Sequence, residues 1–120
     1  MRSLSKTTLP EIYWPLMDGK TIKTDHCVVC GASYSARPLN QHHVCWRSWG
    51  QLFKDGRKVE NPTVTLCGNG NCDGCHGLAH RRQLHFRWRN HWEVLITDEP
   101  MKYDKALEME GWRPLYEQGI

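Results

Sequence analysis

The cysteines constrain this chain more than any other residues. Six of its 120 residues are Cys, and five of them fall into two tight groups: Cys27 and Cys30 in "CVVCG", and Cys67, Cys72 and Cys75 in "LCGNGNCDGC". Each group contains a CxxC pair, and a pair at that spacing can grip one tetrahedral metal ion from a single turn. Four thiolates around zinc form a closed structural site, which would pin two distant stretches of chain to one point. Cys27, Cys30 and Cys75 supply three ligands, and either Cys67 or Cys72 supplies the other. A strand-end cysteine paired with a helix-start cysteine would tie a hairpin to a helix, which favours Cys67. Cys45 has no partner in sequence and reads as a buried free thiol.

Such a tie matters because the core is thin. Only 39% of the residues are hydrophobic and the mean hydropathy is −0.67, so a chain expected to form one domain has little apolar area to hold it. The opening "MRSLSKTTLPEIYWPLMDGK" holds no continuous apolar run. Nor does any stretch approach the roughly 18 apolar residues of a membrane span. The expected compartment is therefore the cytoplasm, where cysteines serve as metal ligands or free thiols rather than as a disulfide framework.

The net charge of +3 is unevenly spread. Residues 1–92 carry 13 Lys and Arg against 6 Asp and Glu, whereas residues 93–120 carry 3 against 7. No acidic residue falls between Gly74 and Trp92, a span that contains Arg81, Arg82, Arg87 and Arg89. A polyanion such as nucleic acid is the partner this suggests, with those four arginines as its phosphate contacts and an acidic tail beyond them. Trp88 and Trp92, interleaved with the arginines, read as core residues.

Along the chain, residues 1–26 read as an irregular arm docked through Tyr13 and Trp14. Residues 27–90 read as the functional core, and 91–120 as a strand-helix extension packed on it. Within the core, "LNQHHVC" and the alternating "TVTLC" predict two strands of a hairpin, joined by a long connection that includes the polar loop Lys54–Pro62. Asp73 predicts the cap of a helix from about Cys75 to Arg89, followed by a strand over His91–Asp98 and a helix over Glu99–Trp112.

The histidines point to a second metal. On a helix starting at Cys75, His76 and His80 lie one turn apart on one face, and the hairpin would bring His42 and His43 of "QHHV" to the same place. Adjacent strand residues face opposite ways, so the strand must twist or end there if both are to serve one site. A metal held by neutral imidazoles keeps its full positive charge, and a histidine of ordinary pKa can accept a proton at neutral pH.

With "CVVCG", the paired "HH" at His42–His43, "NPTVTLC" at Asn61–Cys67 and "CHGLAH" at Cys75–His80, the chain resembles the HNH endonucleases. These are also called ββα-metal or His-Me finger nucleases, and the likeness is to the short, zinc-containing proteins of bacteriophages. The resemblance covers Cys27 to Arg89, about half of the chain. It implies a small α+β fold with a structural four-cysteine zinc site, peripheral helices and a strand. The activity implied is metal-dependent DNA cleavage, as nicking or a double-strand break, by a phosphodiester hydrolase.

In that resemblance His43 is the general base, and Asn61 orients the loop and the His43 backbone. His42, His76 and His80 hold the catalytic ion, and Cys27, Cys30, Cys67 and Cys75 hold zinc. A nitrogen-rich site should accept Mn2+, Ni2+, Co2+ or Zn2+ at least as well as Mg2+. The phage-type members imply terminase or portal packaging proteins as partners and the host cell cytoplasm as location. The alternative is a zinc module that binds DNA or protein without cleaving it.

Overall fold

The computed structural model describes residues 6–45, 49–69 and 73–115, so Cys72 lies outside the described residues. The elements run β1 (Lys6–Thr8), a 3-10 helix (Glu11–Asp18), β2 (Leu39–His43), β3 (Gln51–Lys54), β4 (Arg57–Val59) and β5 (Thr63–Cys67). They continue with α1 (Gly74–His80), β6 (Leu84–Trp88), β7 (Trp92–Ile96), α2 (Tyr103–Leu107) and β8 (Arg113–Pro114). Among the described residues this is a small α+β domain with few helices and three small sheets, ordered β1-β3-β4, β2-β5 and β6-β7-β8. No helix among the described residues is long and apolar enough to cross a membrane.

The predicted pair of strands forms as β2 and β5, antiparallel, with His42 opposite Val64 and His43 opposite Thr63. Four other expectations need correction. The polar loop Lys54–Pro62 is mostly a second hairpin, because Asp55 and Gly56 take φ of 52° and 79° and close a two-residue turn between β3 and β4. The helix from Cys75 stops at His80. Arg82 turns left-handed (φ 61°), and the amides of Arg82 and Gln83 bond back to Ala79 and Leu78, which ends the helix.

Leu84, Phe86 and Trp88 then alternate along β6, which pairs with β7 instead of continuing the helix. The expected helix over Glu99–Trp112 shrinks to α2. Its only buried residue is Ala106, and the indole of Trp112 donates to the Ala106 carbonyl at 3.1 Å, turning the chain back towards β8. The N-terminal arm is also more ordered than expected. Its strand β1 lies parallel to β3, and its 3-10 helix stacks Tyr13 on Tyr103 at 5.0 Å.

One core joins these pieces. Trp92 is fully buried, donates from its indole to the Lys20 carbonyl at 2.7 Å, and meets Trp88 and Phe86 edge-on. The expectation that the tryptophans serve packing holds for this one. Gly19 is where the chain crosses the Trp92 ring, and a Cβ there would come within 2.2 Å of it.

Candidate metal centres

Two clusters of ligand side chains form at the ends of β2, β5 and α1. In the first, Cys27, Cys30, Cys67 and Cys75 bring their sulfurs within 4.8 Å of one another. The knuckle carrying Cys27 and Cys30 is closed by Gly31 N–H to the Cys27 carbonyl (2.9 Å). It is pinned to β5 by Val28 N–H to the Thr65 carbonyl (3.0 Å). Cys67 ends β5, and the chain just after it packs closely against the chain just before Cys75. A Cβ on Gly68 would lie 2.1 Å from the Asp73 carbonyl oxygen, and one on Gly74 would lie 2.6 Å from that of Cys67. Both have positive φ, so glycine is needed at these two positions for the fourth sulfur to arrive.

The donor set fits a tetrahedral ion. Thiolates about 2.3 Å from zinc lie about 3.8 Å apart, and the Cys30 and Cys67 sulfurs are 3.6 Å apart. The four cysteines could therefore hold a structural metal such as zinc. Their electrostatics are divided. A hydrogen bond from the Cys75 thiol holds Cys27 down to about 4 against the opposing effect of burial, helped by the Cys30 and Val29 amides. The same hydrogen bond pushes the Cys75 thiol up, and burial raises Cys67. Cys27 is thus a thiolate at neutral pH, and a metal would displace the protons that Cys67 and Cys75 keep.

The second cluster is His42, His76 and His80, with ring nitrogens within 4.8 Å of one another. Nε2 of His76 and Nε2 of His80 are 3.2 Å apart. Imidazole nitrogens about 2.0 Å from one ion lie about 3.3 Å apart. An N–H···N hydrogen bond would fit that distance equally well. The third ring makes the difference: His42 stands nearly perpendicular to both, with centroids 5.1 and 5.7 Å away. Burial, then the neighbouring histidines, hold the His42 pKa down to about 3, so its ring is neutral and its lone pair available.

His43 stands outside this trio. Along β2 it points to the other side and lines a groove of about 320 Å3 with Gln51, Leu52, Lys58, Glu60 and Asn61. The Asn61 amide holds the chain just beyond it, accepting from Cys45 N–H at 3.0 Å and donating to the Cys45 carbonyl at 2.7 Å. Asn61 therefore grips the backbone two residues past His43. Lys58 and Glu60 escaped the sequence reading because they sat in what looked like a plain loop. The Asp55-Gly56 turn was the available signal.

The arginines divide. Arg81, Arg82 and Arg89 are exposed. Arg87 is turned inward, paired with Glu93 at 2.6 Å and stacked over Trp112 at 4.6 Å. Cys45 is buried as expected, with its thiol pushed up to about 12.

Behind His42 lies a cavity of about 300 Å3 whose wall includes His85. His85 donates from Nε2 to the Arg82 carbonyl at 2.9 Å, and burial lowers its pKa from the ordinary 6.5. Below that unfolded value the unfolded chain takes up a proton that folded His85 resists. Its contribution is thus complete above about pH 6.5 and is lost as pH falls through the lower folded value. Urea midpoints are expected to drop between pH 7 and pH 5.5, and less steeply in His85→Gln. Equal slopes in the two proteins would refute the assignment.

No protein-family model, curated protein or solved structure matches this chain.

Proposed function

We infer that this chain is a metal-dependent DNA endonuclease of the HNH type, with β2, β5 and α1 as its ββα-metal unit. The observation that carries the reading is the convergence of His42, His76 and His80 from a strand and a helix, with His43 the next residue on that strand. A non-catalytic scaffold needs the four cysteines but has no use for three clustered imidazoles beside a histidine in an open groove.

In this reading His42, His76 and His80 would hold a divalent ion, which would supply positive charge for the phosphoryl and leaving oxygens. His42, neutral and buried, is a fixed ligand from the strand, while His76 and His80 are ligands from successive turns of α1. His43 takes the proton of the attacking water from the groove side. Asn61 holds the strand end at Cys45, so that the His43 ring keeps its aim. Arg81, Arg82 and Arg89 add sequence-independent attraction for the DNA backbone.

Purified protein carrying its structural zinc is expected to nick supercoiled plasmid when Mn2+, Ni2+, Co2+ or Mg2+ is added. A weak chelator that spares the thiolate site should stop the reaction. Failure of every ion to support cleavage would shift the weight to a zinc module that binds without cutting.

A further inference from the structure

Resting on that nuclease reading, we propose that the β3–β4 hairpin is the strap that holds the substrate's sugar-phosphate backbone in the groove at His43, with Lys58 as its phosphate-binding residue. The register decides which side chains face this way. Phe53 pairs with Lys58 and with Thr8, and Gln51 pairs with Lys6. Strand alternation then puts Lys6, Thr8, Gln51, Phe53 and Lys58 on one face of the β1-β3-β4 sheet, and Leu52 and Val59 on the other. Leu52 is almost wholly buried, which identifies its side as the core side and the lysine side as the outer one.

Lys58 lines the groove together with His43 and Asn61, so a phosphate seated there has the cation and the histidine on one groove wall. At about 320 Å3 that space holds roughly ten water volumes, which is room for a phosphodiester and its hydration. Glu60 also lines it and repels an anion, so the phosphate sits towards Lys58 and Gln51. The two-residue turn at Asp55 and Gly56 keeps the hairpin short and stiff, and Lys58 is only two residues beyond it. The β1-β3-β4 strands and their turn contribute Lys6, Lys54, Arg57 and Lys58 against Asp55, a surplus of positive charge suited to a polyanion. Lys54 is turned to the core side over the Trp14 ring, at 5.7 Å, whereas Lys58 is, among the described residues, the lysine lining the groove.

The test is fluorescence anisotropy of a labelled mixed-sequence duplex against NaCl concentration, using full-length zinc-loaded protein in a His43→Ala background to prevent cutting. Lys58→Gln is expected to weaken binding several-fold at low salt and to reduce the slope of log affinity against log salt by about 0.9, the share of one phosphate contact. Lys58→Arg should restore the slope, and Glu60→Gln should strengthen binding. Lys58 is exposed, so zinc content and thermal midpoint should not move. An unchanged slope in Lys58→Gln, with the parent binding DNA and wild type nicking plasmid, would overturn the strap and leave the nuclease standing. A parent that binds no duplex, with a wild type that nicks none, would overturn both.

Discussion

Cys75→Ala is expected to leave the domain unfolded at room temperature, with zinc stoichiometry falling from one per chain to near none. Structural zinc contributes about 10–16 kcal/mol of apparent binding energy, against about 5–15 kcal/mol for the whole stability of an ordinary domain. This chain has less in reserve than most, because among the described residues its sheets have only two or three strands and its two α-helices span seven and five residues. The cysteine cluster joins the knuckle, the end of β5 and the start of α1 at one point. Losing one sulfur also leaves the Cys27 thiolate without the neighbour that stabilises it. Cys45→Ala is the control, since that thiol is buried outside the cluster and its loss should cost about 1 kcal/mol without touching zinc. Far-ultraviolet circular dichroism and metal analysis of the two variants decide the matter. A folded, zinc-free Cys75→Ala protein would refute a structural role for the metal.

His43→Ala is expected to lower the rate of plasmid nicking by about 100- to 10,000-fold, the range for loss of a general base. Zinc content and the urea midpoint should remain at wild-type levels. The separation of roles is what makes this informative. His43 is outside the ligand trio, so its loss should leave the apparent affinity for Mn2+ unchanged. His42→Ala should instead weaken that affinity and lose activity together, because it removes a ligand. A His43→Ala protein that nicks as fast as wild type would exclude the base assignment, and one that binds Mn2+ far more weakly would make His43 a ligand instead.

The two clusters differ in how far local sequence could reveal them. Cys27 and Cys30 are spaced for one turn, and His76 and His80 are spaced for one helical turn, so each pair was legible as a unit. The helix needed only to reach His80 for the second pair to form, which is why overextending it to Arg89 did no harm to the site. The alternation of Leu84, Phe86 and Trp88 was the clue that a strand begins there. It was masked by arginines that suit a helix surface equally well. At the other end, Glu99–Trp112 has good helix formers but buries only Ala106. Short helices depend on a buried apolar face more than on propensity.

By itself the sequence determined the candidate ligand types, their pairing within turns, the β2–β5 pair and the opposite facing of His42 and His43, since all of these depend on spacing and periodicity over a few residues. Only the tertiary structure decided which pairs meet and what stands beside them. It brought Cys67 to Cys30, seated His42 against α1, turned Arg87 towards Glu93 and placed Lys58 and His43 on the wall of one groove. Those contacts join residues far apart along the chain or on different elements, and their geometry is set by how sheets and helix pack around Trp92, which short-range periodicity does not encode.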